Sequence, residues 1–285
     1  MAEQRTYVLK NNRSWTLGDA TQVMGILNLT PDSFSDGGQW FDLDRALAHV
    51  TEMEEAGADL IDIGGESSHP GFVPVGADEE IARLEPFLAP VLACATVPTS
   101  IDTFKAKTAD WALRQGVDMI NDIWGLQYDP EMAAVAAYHQ CPVIVMHNQD
   151  GTDYEGDILD AMTEFFEHSL SLAQNAGVKE ENMILDPGIG FGKTALQNME
   201  VLRRLPELIE RLPYPWLLGT SRKGFIGQAL DLPVTERMEG TAATCLYGQM
   251  AGCKILRVHD VAPIARMTKM MDMITGKRPY GSNRN

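Results

Sequence analysis

VMGILNL at residues 23–29, a polar loop, a helical stretch closed by Gly57 and then LIDIGG at 60–65 form the unit whose reading decides the fold. Both apolar runs are continuous rather than alternating, which suits parallel strands buried on both faces. Between them Leu43, Ala46, Leu47, Val50, Met53 and Glu54 recur at helical spacing, and Gly57 is placed to end that helix. Further apolar runs follow at PTSID (98–102), MINDI (119–123), PVIVMH (142–147), MILDPG (183–188), PWLLGTS (215–221) and ILRVHD (255–260). Eight strands alternating with eight helices predict an α/β chain folded as a single (β/α)8 TIM barrel. On pattern alone a doubly wound open sheet stays open as the alternative. TYVLKNNRSWTL (6–17) reads as a short strand or hairpin capping the bottom of the barrel. Neither linker nor low-complexity tract interrupts the chain, so one domain is expected over 1–285, with a barrel core over about 18–275.

Composition narrows the partners. Of 285 residues, 40 are acidic and 23 basic, a net charge of −17. Such a surface repels phosphate backbones and anionic lipid, so neither nucleic acid nor membrane is expected as a partner. A local basic pocket inside that shell still admits an anionic small molecule. Cys94, Cys141, Cys245 and Cys253 form no C-x-x-C pair and sit in or beside apolar runs, so they read as reduced thiols of a cytoplasmic protein. The opening MAEQRTYVLKNNRSW is polar, and no signal peptide is expected from it.

The informative feature is where polar residues fall. The runs end in Asn28, Asp62 with Glu66, Asp102, Asn121 with Asp122, His147, Asp186, Ser221 with Arg222 and Lys223, and Arg257 with His259 and Asp260. Any one alone reads as a helix cap or a satisfied buried group. The set does not, because capping requires neither Lys, Arg nor His at successive strand ends. In a barrel the carboxyl ends of all strands meet at one face, where the active site lies.

Four segments carry chemistry. NLTPDSFSDGG (28–38) has an amide and the acids Asp32 and Asp36, a set able to hold Mg²⁺ with substrate phosphates, or else an ordinary Asp/Gly turn. DPGIGFGKT (186–194) fails the phosphate-loop template, since position 187 is Pro. Its glycines instead let backbone approach a flat ligand, and Asp186 can accept two N–H donors from one heterocycle edge. Lys223 in GTSRKG (219–224) is a donor for the same ligand. Arg257 and His259, two apart on a strand, face the same side and suit phosphate. There is no G-x-S-x-G and no cysteine at a strand end, hence no evident nucleophile–base pair. This inventory predicts a transferase acting on a flat nitrogen heterocycle with a phosphate or pyrophosphate leaving group.

The segments GILNLTPDSFSDGG, DIGGES, SIDTFKA, INDIWG, VMH, ILDPGIGFGKT, LLGTSRKGFIG and RVHDV, over residues 24–261, closely resemble the dihydropteroate synthases. The resemblance implies a TIM barrel, usually a homodimer. It implies condensation of 6-hydroxymethyl-7,8-dihydropterin pyrophosphate with 4-aminobenzoate in folate biosynthesis, with sulfonamides competing for the aminobenzoate side. By matching position, Asp102, Asn121, Asp186 and Lys223 would bind the pterin, with Met146 and Phe191 walling it. Arg257 would stack on the pterin and reach the pyrophosphate with His259, and Asn28 would meet the Mg²⁺–pyrophosphate group. Asp36 would lie near a developing cation. The mechanism implied is dissociative: pyrophosphate leaves first and the neutral arylamine attacks a pterin methylene cation, with no strong base required.

Two positions depart from the family pattern, both on the aminobenzoate side. The second loop reads Ser67-Ser68-His69-Pro70-Gly71 where the family has Ser-Thr-Arg-Pro-Gly, and Gly224 stands where a Ser follows the strand-seven Lys. Arg to His exchanges a permanent bidentate cation for a side chain mostly neutral at pH 7. Weaker aminobenzoate and sulfonamide binding is therefore expected, each lost charge-assisted bond costing roughly 1.5–3 kcal/mol. The alternative these changes raise is a catalytically impaired pterin-binding paralogue. A corrinoid-linked pterin methyltransferase would share the barrel but not need Arg257 and His259. Leu246, Met250, Met267, Met270 and Met271 on the last helices suit either a dimer face or plain core.

Overall fold

The structure is a computed structural model that describes residues 4–10, 13–29, 39–66 and 75–281. Eight parallel strands form its centre: β3 (Gln22–Asn28), β4 (Leu60–Gly64), β5 (Thr99–Asp102), β6 (Met119–Asp122), β7 (Val143–Met146), β8 (Met183–Asp186), β9 (Leu217–Leu218) and β10 (Ile255–Val258). Their order is β8-β7-β6-β5-β4-β3-β10-β9. A parallel bridge between Leu185 and Trp216, with Leu185 N–H donating to Pro215 O at 2.9 Å, joins the two outer strands. That seam makes the sheet a barrel and removes the open doubly wound alternative.

The pleat sorts side chains in two directions. Val23, Leu27, Ile61, Ile63, Leu185 and Leu256 face outward into one cluster with the helices. Met24, Leu60, Met119, Ile144, Ile184, Leu217 and Ile255 face inward and fill the amino-terminal end of the barrel. Two residues further along those strands, on the same face, stand Ile26, Asp62, Asn121, Met146, Asp186, Gly219 and Arg257. An apolar floor thus underlies a layer that is largely polar.

The hairpin of β1 (Arg5–Val8) and β2 (Ser14–Leu17) closes the bottom, as expected. Tyr7 and Trp15 stack at 4.7 Å, and with Leu9 and Leu17 they join the apolar floor. Each such side chain contributes about 1.5–3 kcal/mol by leaving water. Arg13 ties the hairpin down by two bonds to buried Asp118, at 2.8 and 2.7 Å.

The α1 helix (Gln39–Ala56) ends as read from sequence, with Gly57 at φ 101°. The expectation of eight helices is corrected: the described residues contain ten. Two follow β8, namely α6 (Ala195–Arg203) and α7 (Leu205–Arg211), and two follow β9, namely α8 (Gly224–Leu230) and α9 (Met238–Ala251). Pro206, in the first turn of α7, explains the first split, since it lacks an N–H and restricts the residue before it. The last helix, α10 (Val261–Ile274), follows β10. Among the described residues no helix is long and apolar enough to cross a membrane.

Candidate active site

The polar layer opens into a cavity of about 440 Å³ at the carboxyl ends of the strands, lined by Asn28, Asn121, Met146, Asp186, Phe191, Lys223, Gly224, Arg257 and His259 among others. A second cavity of about 470 Å³ adjoins it, lined by Arg45, His49 and Glu52 of α1. The two share Ile26, Asn28, Arg222 and His259. The geometry therefore offers one compartment that sets Asp186 and Asn121 beside Lys223, Arg257 and an apolar wall of Met146 and Phe191, and an adjoining one with Arg45, Arg222 and two imidazoles.

Arg257 is the electrostatic centre. Its Nε donates to Asp62 at 2.6 Å and its terminal nitrogen to Asp102 at 2.7 Å. Asp62 is fully buried and also accepts from Asn121 Nδ2 at 2.9 Å and from the Ser100 hydroxyl. Asp62 thus orients two of the residues expected at the site, although no role had been read for it from the sequence. Its signal was there: it sits two residues beyond Leu60 on the inward face, a carboxylate in an apolar run. A buried carboxylate with three donors is organised, since each unmade bond would cost about 1–3 kcal/mol.

Burial pushes the Asp102 carboxyl up to about 7, with Arg257 working against that and Asp62 and Glu80 adding to it. Burial likewise pushes Asp186 up to about 6, opposed by the Gly188 N–H, which donates to Oδ1 at 2.8 Å, and by Lys223 and Arg257. Such carboxylates are reluctant to be charged alone, and N–H donors of a ligand would relieve them. Gly188 lies at φ 64°, and a Cβ there would fall 1.9 Å from His147 O, so only glycine fits.

Lys223 Nζ stands 4.0 Å over the Phe191 ring, and burial with the nearby Arg257 lowers it to about 8. Met146 and Phe191 belong to a small apolar cluster with Phe104 and Ile123. The site thus joins a flat apolar wall to donors and acceptors at its rim. His259 is pushed down to about 4 by burial and by Arg257 and Arg222, and its Nδ1 lies 3.0 Å from Ser221 Oγ. It is a neutral imidazole at pH 7, a hydrogen-bonding group for phosphate rather than a charge.

Gly224 opens α8, and a Cβ there would meet no atom within 4 Å. Asp36, Ser68, His69 and Pro70 lie outside the described residues. For Mg²⁺, the described residues offer the amide of Asn28 on the edge shared by both cavities, and among them no group of three or more acids, histidines or cysteines is arranged to hold a metal ion. One neutral oxygen fits an ion that is carried mainly by pyrophosphate oxygens and water.

Comparison with known proteins agrees with this geometry. The family described as pterin binding enzyme matches residues 24–259. A dihydropteroate synthase of Bacillus subtilis strain 168 is 52% identical over 259 residues, 91% of this chain and 90% of the relative. A crystal structure of the dihydropteroate synthase of Clostridium difficile in the presence of pteroic acid superposes with a TM-score of 0.88 at 49% identity, covering 90% of this chain and 98% of the other. A Xanthomonas albilineans dihydropteroate synthase with 4-aminobenzoic acid gives 0.89 at 36% identity, covering 96% and 99%. These likenesses favour a synthase over an impaired paralogue: a barrel with this polar layer and these relatives belongs to the dihydropteroate synthases, transferases of folate biosynthesis within the pterin-binding enzyme family.

Proposed function

We propose that the chain condenses 6-hydroxymethyl-7,8-dihydropterin pyrophosphate with 4-aminobenzoate to give 7,8-dihydropteroate and pyrophosphate, by a dissociative route. The observation that carries this reading is the convergence of Asp186, Asn121, Lys223 and Arg257 on one cavity whose outer edge is Asn28 and His259. Asp186 would accept the N–H donors of the pterin edge, Asn121, held by Asp62, would present its amide, and Lys223 would donate to a ring acceptor. Met146 and Phe191 would wall the ring, and Asp102 would keep Arg257 in place. In the first step the C–O bond breaks and its electron pair leaves on pyrophosphate, which Arg257, His259 and Asn28 would bind. Donors aimed at charge as it develops give the largest electrostatic gain. Mg²⁺ carried with the pyrophosphate would add further neutralisation of that charge. In the second step the amine nitrogen bonds to the methylene carbon and then loses a proton to solvent. Asp36 would lie beside the cation, and Ser68, His69, Pro70 and Gly224 would form the aminobenzoate side, which sulfonamides would share.

We further propose one domain over 1–285, a cytoplasmic setting and a homodimer. Four free cysteines suit a reducing compartment. Tyr247, Met250, Met270 and Ile274 on α9 and α10 are exposed apolar groups that suit a dimer face. Leu246, Met267 and Met271 are half-buried instead. Incubation with both substrates and Mg²⁺, with dihydropteroate read by chromatography, tests the reading. Dihydropteroate is the expected product, and its absence at micromolar enzyme would reject the proposal.

A further inference from the structure

The segment between β8 and α6 bears a lysine that the proposed chemistry leaves unused. Lys193 is buried, 8% exposed, and is not among the residues lining the cavity. Its Nζ lies 2.9 Å from His147 Nδ1 and donates to Gly188 O and Phe191 O, both at 3.0 Å. Three ammonium donors meet three acceptors, so the group is fully satisfied. Burial and the nearby Lys193 hold His147 well below its usual range, which keeps the ring neutral, and Nδ1 accepts from the ammonium in the tautomer that carries its proton on Nε2. Burial also lowers Lys193 itself to about 7, yet even as an amine it keeps two N–H groups for the two carbonyls.

We propose that Lys193 is a positioning residue for the ring-binding side of the site, setting Asp186, Phe191 and Lys223 through the backbone of residues 188–191. Gly188 is held from both sides: its N–H donates to Asp186 Oδ1 at 2.8 Å, while its carbonyl accepts from Lys193 and, at 3.1 Å, from Phe191 N–H. The N–H and the carbonyl belong to the two peptide units that meet at the Gly188 Cα, so a shift of the carbonyl side is passed through that one Cα to the N–H on Asp186. The Phe191 carbonyl is fixed by the same ammonium, and the Phe191 ring supports Lys223. A Cβ on Gly190 would come within 2.9 Å of Lys223 Cδ, so the backbone at 190 is the surface against which the Lys223 stem rests. Asn198 Oδ1 accepts from Gly190 N–H at 2.7 Å, and Tyr154 donates to Gly192 O at 2.8 Å. Those two bonds hold the outer turn, whereas Lys193 alone reaches from the turn to the strand end at His147.

The inference rests on the function proposed above. Its test uses the full chain, with 6-hydroxymethylpterin as probe in titration calorimetry and steady-state kinetics beside it. Lys193→Met leaves two buried carbonyls without this donor, and the expected result is about tenfold weaker pterin binding, with the aminobenzoate KM within about twofold of wild type. Lys193→Gln keeps two N–H groups on a shorter stem, and about threefold weakening is expected. In a Phe191→Ala background the Lys193→Met effect should shrink to about threefold or less, because the two residues act as a unit. Wild-type pterin affinity in Lys193→Met overturns the proposal. So does an equal loss for both substrates that tracks a lower Tm, or strict additivity with Phe191→Ala. If Lys193→Met does not fold, Lys193→Gln decides by the same criteria. A wild-type chain that binds no pterin sinks the functional reading, and this inference with it, whereas wild-type binding with unaltered variants sinks this inference alone.

Discussion

Asp62→Asn is the sharpest perturbation of the polar layer. Asp62 accepts from Arg257 at 2.6 Å, from Asn121 at 2.9 Å and from Ser100. An asparagine keeps one carbonyl oxygen and replaces the other acceptor by an NH₂. Arg257 Nε and Asn121 Nδ2 share Oδ2, so the carbonyl placed there keeps both as neutral bonds while the NH₂ turns to the Ser100 hydroxyl, which can accept; what is lost is the charge. Removing one partner of a buried ion pair costs about 3–5 kcal/mol when the other charge is stranded. Here Asp102 remains on Arg257 at 2.7 Å, so the low end applies. Taking the charge out of the bonds to Arg257 and Asn121 gives about 1.5–3 kcal/mol independently. We therefore expect a loss of about 2–3 kcal/mol, or about 30–150-fold in kcat/KM for the pterin pyrophosphate. Stability should fall as well, by the low end of that range, because Arg257 keeps only Asp102 as a buried counter-charge. The assay varies the pterin pyrophosphate at saturating 4-aminobenzoate, with a thermal melt beside it. A kcat/KM within about threefold of wild type would refute the assignment of the Asp62 charge as a determinant of how Arg257 and Asn121 serve the substrate.

Three further outcomes follow from the same geometry. Pterin affinity should be full above the Asp186 value of about 6 and the Asp102 value of about 7 and should weaken as pH falls through them, because protonated Asp186 no longer accepts two N–H donors and protonated Asp102 no longer holds Arg257 by charge; binding of 6-hydroxymethylpterin from pH 8 to pH 5 that stays flat or tightens would contradict this. His69→Arg with Gly224→Ser should lower the aminobenzoate KM about tenfold or more by restoring charge-assisted bonds. The hydroxyl at 224 has open space to enter, and an unchanged KM in the double variant would end that argument. Gly188→Ala should fold poorly or melt far below wild type, since its Cβ would fall 1.9 Å from His147 O on a backbone at φ 64°; a wild-type melting curve would contradict it.

Much of this was legible in the sequence because the signals are local. Continuous apolar runs located all eight strands, and a polar residue two positions beyond Met119, Ile184 and Ile255 places Asn121, Asp186 and Arg257 on the inward face. Barrel closure was read from the count of eight strand–helix units rather than from any local signal, which is why an open sheet stayed as the alternative until the bridge between Leu185 and Trp216 removed it. Asp62 was underrated because its meaning lies in partners 38, 59 and 195 residues away. On its own it reads as any satisfied buried acid. Lys193 was hidden similarly, inside a motif inspected for phosphate binding, while its partner His147 lies 46 residues earlier. The split of α6 from α7 was available at Pro206 but disappears when each strand-to-strand interval is read as one helix.

The order of bond breaking and bond making can be tested directly. Enzyme, dihydropterin pyrophosphate and Mg²⁺ are mixed with 4-aminobenzoate withheld and then supplied, and pyrophosphate and dihydropteroate are followed separately. A dissociative site, with Arg257, His259 and Asn28 gathered at the leaving group, predicts measurable pyrophosphate release without the amine, and matched release of both products once it is added. Pyrophosphate release that depends strictly on the amine would contradict the account, because bond breaking would then require the nucleophile.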